Sequence, residues 1–286
     1  MKKLLCALVL LGLLAPNLAA EPKKLLVVTI TAGFRHAPAI ERLEVVLSKL
    51  AEASGAFTVD FCGLDPNEPQ FRDPATNKPD NAKVQAAMQK ILAERMSLEA
   101  LRAYDGVVFA NTSGNLPLPD LPGFLNWIRS GKAFIGIHAA TDTLRSGRAD
   151  APTDFTLMIG AAFKTHGAQA TVECINQDPT HPACQDVPAR WTVHDEIYLF
   201  DNFDRQSVHG LLTLDKEPNT REPGDYPIAW CKDYGKGKVF YTSLGHREDV
   251  IDDAWGRDAD RRNSREVAKV FQKHLLGGIH WALGLD

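Results

Sequence analysis

The chain has 286 residues, 44% of them hydrophobic and 24% charged, with a formal net charge of −4. Moderate Gly and Pro beside a normal hydrophobic fraction exclude collagen, coiled coil and a disordered tail, and the length suffices for one large α/β domain or two small ones. The basic residues form no stripe or arm able to neutralise a run of phosphates, which argues against nucleic acid as a partner.

Residues 1–20 read as a secretory signal peptide. Lys2 and Lys3 precede an apolar run from Leu4 to Leu14, and Leu18-Ala19-Ala20 closes it with small residues. The run is shorter than the about 20 apolar residues a bilayer span needs. Cys6 lies inside it, away from the cleavage point, so lipid attachment is not indicated. Cleavage leaves residues 21–286 with 30 basic and 36 acidic side chains, an acidic exported chain (periplasmic or extracellular) with no membrane partner. In an oxidising compartment Cys174 and Cys184 either pair across the Asp178-Pro179 turn or, with Cys62 and Cys231, remain buried thiols. No CxxC or zinc-ribbon spacing occurs.

Leu25–Ile30 is an apolar, β-branched run that predicts a buried strand, followed by the loop Thr31–His36. Pro38 opens a helix whose apolar face is Ile40, Leu43, Val46, Leu47 and Leu50. Phe57–Phe61 predicts a second strand, residues 62–81 a Pro/Asp/Asn-rich loop, and 82–96 a helix. Gly106–Ala110 predicts a third strand, ending at Asn111-Thr112-Ser113-Gly114. Asp120 is placed to cap a helix carrying Leu121, Phe124, Leu125 and Ile128, and Ala133–Ile137 predicts a fourth strand leading into His138. Apolar strands alternating with helices imply a parallel sheet covered on both faces. Beyond about residue 165 the pattern turns to strands: Ala170–Ile175, Trp191–Phe200, Val208–Leu214, Pro227–Cys231 and Lys238–Leu244. Tyr234-Gly235-Lys236-Gly237 serves as the hairpin turn joining the last two. Asn263 and Glu266 suggest a capping box for a final helix with Val267, Val270, Phe271 and Leu275 inward. With no repeat and no linker, residues 21–286 read as one domain.

Ligands of open parallel sheets bind beyond the carboxyl ends of the strands. That rule selects Thr31–His36, Asn111–Asn115 and His138–Thr143, with Gly245-His246 added if its strand runs in the same direction. Gly136-Ile137-His138-Ala139-Ala140 resembles a nucleophile elbow with histidine at the reactive position, where imidazole can move protons near neutral pH or bind a metal. Arg35-His36 lies ahead of a helix N-terminus, a setting that favours anionic or oxygen-rich ligands. Asn111 and Ser113 offer polar groups suited to sugar, as do Thr141 and Asp142. His194 and Glu196 are expected on one face of a strand with Asp195 opposite, a base-and-orienter pair or a chelating one. His166 is a further candidate for the crevice, and His274 reads as a packed structural histidine. No HExxH spacing is present, so any metal site must be assembled from distant segments.

With these segments placed, the chain resembles the ThuA-like (trehalose utilisation) family. The likeness rests on Thr31-Ala32-Gly33-Phe34-Arg35-His36, Tyr104–Phe109, Asn111-Thr112-Ser113-Gly114, Gly136–Asp142, Asp195-Glu196, Pro227–Cys231, Phe240–His246 and His274–Ile279, from Lys24 to Gly284. The resemblance implies a flavodoxin-like α/β three-layer sandwich with a mostly parallel central sheet, related to the class I glutamine amidotransferases. Those relatives carry a cysteine at the elbow where this chain has His138, so glutamine hydrolysis through a thioester is not expected. The family is associated with breakdown of disaccharides through 3-keto sugars. Its members often follow the loop histidine with an acid and a hydroxyl residue. Here Ala37 and Pro38 follow, so His36 is read as a binding residue.

The leading reading is an exported enzyme acting on a glycoside or its keto derivative as isomerase, lyase or hydrolase, with His138, Glu196 and His246 catalytic. Arg35, His36, Asn111, Ser113, Thr141, Asp142 and His166 are the expected substrate contacts. No cofactor is certain. A divalent metal ion, if bound, is expected on His138, His246 and Glu196. The partner expected is a small carbohydrate, with a second copy of the chain also open. A non-catalytic carbohydrate-binding protein using Phe34, Trp127, Trp191 or Trp230 as platforms, and a metal-dependent hydrolase of a non-sugar substrate, are the alternatives.

Overall fold

The computed structural model describes residues 21–147 and 151–285. The expected signal peptide, residues 1–20, lies outside them. Among the described residues no helix is long and apolar enough to cross a membrane.

The first half alternates strands and helices: β1 (Lys23–Val28), α1 (Ala37–Ser54), β2 (Phe57–Cys62), α2 (Asn81–Arg95), α3 (Leu98–Leu101), β3 (Gly106–Ala110), α4 (Leu121–Arg129), β4 (Ala133–Ile137) and α5 (Asp154–Ile159). The second half is strand-rich: β5 (Ala162–His166), β6 (Ala170–Asn176), β7 (Arg190–Asp195), β8 (Tyr198–Asp201), β9 (His209–Lys216), β10 (Pro223–Tyr234) and β11 (Gly237–Thr242). It closes with α6 (Glu248–Ile251) and α7 (Arg265–Leu283).

Nine strands form one sheet in the order β2-β1-β3-β4-β11-β10-β9-β6-β7. The five from β2 to β11 run parallel, and their order is the flavodoxin-like one. The other four extend the sheet antiparallel. Side chains alternate across the parallel part as the pleat requires. Leu25 and Val27 of β1 join a core with Leu43 and Leu47 of α1 and Phe271 and Leu275 of α7. Leu26 and Val28 join the opposite core, with Leu92 of α2, Phe124 and Ile128 of α4 and Phe155 of α5. Helices therefore cover both faces, giving three layers.

Local signals set the element ends. Pro38 occupies the first turn of α1, and Gly55, at φ +62°, returns its N–H to Ala51 O. Asp120 accepts from Gly123 N at the start of α4.

Two expectations are corrected, and one left open is settled. The single strand Trp191–Phe200 is two strands broken at Glu196-Ile197, because the Asp195 carboxylate takes the Glu196 N–H and β8 turns to pair with β5. The N-cap of α7 is Ser264, which accepts from Val267 N. Asn263 instead bonds both backbone groups of His194 and the Asp249 carboxylate. Cys174 and Cys184 are separate buried thiols, as are Cys62 and Cys231, so the second of the two alternatives for the cysteines is the one observed.

Candidate active site

Strands β1, β3, β4 and β11 run parallel and end on one edge of the sheet. The condition for Gly245-His246 to join that edge is met: β11 pairs with β4 in parallel, Thr242 opposite Ile137.

His138 follows β4 immediately, at φ +47°, in the left-handed region that residues with a large side chain seldom adopt. The strand is turned there into a short 3-10 turn, His138–Asp142, which is the shape of an elbow with the reactive side chain at its apex. The turn is held from below, where Tyr241 OH donates to His138 O at 2.8 Å and Asn111 Oδ1 accepts Ala139 N at 3.3 Å. His138 Nδ1 lies 2.7 Å from Ser243 O. A carbonyl can only accept, so Nδ1 carries the proton and Nε2 presents a lone pair. That Nε2 is buried without a hydrogen-bond partner.

The antiparallel half of the sheet comes back over this edge through Asp195, the last residue of β7. Its buried carboxylate accepts N–H from Gly245 at 2.8 Å, His246 at 3.4 Å and Arg247 at 3.0 Å. Burial pushes the Asp195 carboxyl up to about 7, against these backbone donations. With the chain pinned there, Glu196 leaves the ladder and its side chain enters the crevice.

Four imidazoles surround the Glu196 carboxylate. Oε1 lies 3.6 Å from His138 Nε2 and 3.9 Å from His36 Nε2. Oε2 lies 3.2 Å from His166 Nδ1 and 3.7 Å from His246 Nε2. The rings of His36, His138 and His246 form a triangle with centroid separations of 5.1, 5.2 and 5.4 Å, and the Tyr198 ring covers His138 at 4.2 Å. His246 Nδ1 is 3.2 Å from Gln169 Nε2, while Gln169 Oε1 accepts from Arg247 Nη1. Arg247 thereby fixes the amide, so Nδ1 of His246 accepts and its Nε2 carries the proton toward Glu196.

Burial alone would raise the Glu196 carboxyl, but the imidazoles of His138, His36 and His246 outweigh it and hold the group well below the usual carboxylate range. Burial lowers His138, and burial with the neighbouring His138 ring lowers His246 to about 4. At neutral pH the centre is therefore an anionic carboxylate faced by neutral His138 and His246.

The remaining expected residues divide. His36 and His166 join the cluster. Asn111 and Ser113 are fully buried and bonded within the scaffold, Asn111 Nδ2 to Gly245 O and Ser113 Oγ to Phe34 O. Thr141 is bonded to Tyr241 OH, and Asp142 pairs with Arg145. Arg35 donates to Thr29 O, and burial lowers its pKa despite Asp65 and Glu44 nearby. His194 does not share a face with Glu196, because β7 ends between them, and its ring bonds Thr171. His274 is buried with Nδ1 on Ala183 O. Of the aromatic residues, Trp230 and Trp191 are core while Phe34 is 72% exposed, its ring 4.8 Å from that of His36. Tyr198 and Gln169, both in contact with the cluster, gave no signal in the sequence beyond lying in strand-like and polar stretches.

The donor atoms suited to a metal are also regrouped. His36, His138 and Glu196 each turn one ligand-type atom inward, all within 4.8 Å of one another. His36 thus takes the place expected for His246, whose ring is committed to Gln169.

The family model for ThuA, described as trehalose utilisation, matches residues 24–282. Among solved structures, a ThuA-like protein from Bacteroides uniformis ATCC 8492 is 19% identical with a TM-score of 0.62, covering 93% of this chain and 94% of that one. A ThuA-like protein from Parabacteroides merdae ATCC 43184 is 20% identical with a TM-score of 0.59, over 93% and 91%. At these identities the likeness is one of fold. No curated protein matches the chain.

Proposed function

The chain belongs to the ThuA family, and from that premise we propose that it is an enzyme of carbohydrate breakdown, acting in an exported setting on a keto derivative of a disaccharide or related glycoside. The family's description supports the carbohydrate-related role. The observation that carries the catalytic reading is one buried carboxylate, Glu196, ringed by His36, His138, His166 and His246.

A ketone beside the glycosidic carbon's neighbour acidifies that neighbour's C–H bond. The Glu196 carboxylate, ionised at neutral pH, takes this proton, and the electron pair moves onto the ketone oxygen as an enolate. His246, with its proton on Nε2, donates a hydrogen bond to the developing oxygen charge. Collapse of the enolate expels the glycosidic oxygen, which leaves with a proton returned from the Glu196 carboxylic acid. Reprotonation of the enolate at carbon instead gives isomerisation. Exposed Phe34 beside His36 supplies a ring face on which a sugar can stack.

The test is incubation of purified protein with trehalose and with 3-keto-trehalose, following both sugars by chromatography. Consumption of the keto sugar by the wild type and its loss in Glu196→Gln support the reading. No turnover by the wild type, or equal turnover by the variant, overturns it.

A further inference from the structure

We propose that His36, His138 and Glu196 form a binding site for one divalent transition-metal ion, held by Nε2 of His36, Nε2 of His138 and Oε1 of Glu196. Three observations converge on it. The ligand-type atoms lie within 4.8 Å of one another, and among the described residues this is the only such grouping. The His138 ring is fully buried, its proton is held on Nδ1 by Ser243 O, and its Nε2 lone pair faces the group without a hydrogen-bond donor. A histidine ligand is normally oriented in this way, by a carbonyl on the nitrogen that does not touch the metal. Finally, Glu196 Oε1 lies between the two Nε2 atoms, 3.6 and 3.9 Å away. Donors about 2.1 Å from a common ion sit about 3.0–3.4 Å apart, so the two imidazoles need to close on Oε1 by only a few tenths of an ångström, and on each other by no more than about 1.4–1.8 Å, within the reach of side-chain rotation.

The other side of the carboxylate does not compete. Oε2 faces His166 and His246. Ligation through His246 Nε2 would require its proton on Nδ1, against the Gln169 amide that Arg247 holds in place. Two imidazoles and one carboxylate are borderline donors suited to zinc, iron(II), cobalt or manganese rather than calcium. Three protein ligands leave room on the ion for water or for substrate oxygens.

The inference does not depend on the proposed reaction, since binding is measured without turnover. Chelator-stripped protein is dialysed against Zn²⁺ and, separately, Mn²⁺, and bound metal is counted by mass spectrometry alongside titration calorimetry and thermal melts. One ion per chain is expected, with a rise in melting temperature on addition of Zn²⁺. Loss of a residue that merely supports a ligand costs about 10–100-fold in affinity. His36→Ala and Glu196→Gln, which remove ligands, are expected to cost at least about 100-fold and to lose the thermal shift, whereas His246→Ala keeps one ion within about tenfold of wild-type affinity. Absence of a stoichiometric ion in the wild type, an unaltered His36→Ala, or a His246→Ala as damaged as His36→Ala each overturns the assignment. The variants are checked for fold by circular dichroism, and His36→Ala decides the matter even if Glu196→Gln fails to fold. Metal binding without keto-sugar turnover refutes only the proposed reaction, and turnover by a chain that binds no ion refutes only this site.

Discussion

The hydrogen bond between His138 Nδ1 and Ser243 O, 2.7 Å long, decides which nitrogen of the elbow histidine faces the crevice. It also couples the end of β4 to the end of β11, so fold and chemistry are joined in one side chain. Asn is the substitution that separates them. Its amide N–H₂ can reach the Ser243 carbonyl from about where Nδ1 lies, and Asn tolerates the left-handed backbone at φ +47° better than most residues. His138→Asn is expected to keep stability within about 1–2 kcal/mol of wild type, the size of one net hydrogen bond. With no Nε2 lone pair left facing the crevice, Zn²⁺ affinity should fall by at least about 100-fold, as for a removed ligand. Thermal melts and metal titrations on one preparation check both halves, and a variant of wild-type affinity would remove Nε2 from the metal site.

Asp195 acts on the site through the backbone. Its two oxygens accept N–H from Glu196, Gly245, His246 and Arg247, which fixes Glu196 and His246 against each other. In Asp195→Asn one acceptor oxygen becomes an N–H₂ group that faces donors, leaving buried N–H groups unpaired. The expected cost is about 2–4 kcal/mol in urea unfolding, with activity falling too as His246 loses its position. Unchanged stability would mean that the loop is held by other contacts.

The layers were legible in the sequence because apolar periodicity reports burial directly. Leu25–Ile30, Gly106–Ala110 and Ala133–Ile137 read as strands buried on both faces, and β1, β3 and β4 are such strands. The cluster was legible in part, since strand-end position singles out His36, His138 and His246 without knowledge of side-chain geometry. Two things were not legible. The break between β7 and β8 arises from Asp195 bonding a loop some 50 residues away, a tertiary demand that overrides local strand propensity. Polar loop residues such as Asn111 and Ser113 carry the same sequence signal whether they bind ligand or tie the scaffold, and here their bonds run to Gly245 O and Phe34 O.

His274 gives the fold an acid-sensitive element remote from the cluster. Burial holds its imidazole down to about 4, whereas in the unfolded chain it titrates near about 6.5. Below pH 6.5 the unfolded state gains a proton that the folded state refuses, so stability is complete above that pH and falls as the pH drops toward 4. The gap corresponds to about 3 kcal/mol. His274→Gln keeps a donor available for Ala183 O and does not titrate. Its urea midpoint should therefore decline less than the wild type's between pH 6.5 and 4, and the difference between the two curves isolates this residue from every other group. Parallel curves would assign the acid response elsewhere.

Gly114 tests whether the loop carrying His36 must lie where it does. At φ +73° a β-carbon on residue 114 would stand 2.4 Å from Gly33 N and 2.6 Å from Ala32 C, both backbone atoms of that loop. The two segments are laced together there, with Ala32 N and Gly33 N donating to Ser113 O and Ser113 Oγ to Phe34 O, so the clash cannot be relieved without moving residues 32–36. Gly55 provides the control, since it has a similar φ of +62° but open space around it. Gly55→Ala should cost about 1–2 kcal/mol from the left-handed backbone alone. Gly114→Ala adds overpacking of about 1–3 kcal/mol and displaces His36 from Glu196, so it should lose Zn²⁺ affinity and keto-sugar turnover while Gly55→Ala retains both. Denaturation midpoints and metal titrations on the two variants check this. Equal behaviour would mean that the loop can shift without consequence and that the His36 position is not essential to the site.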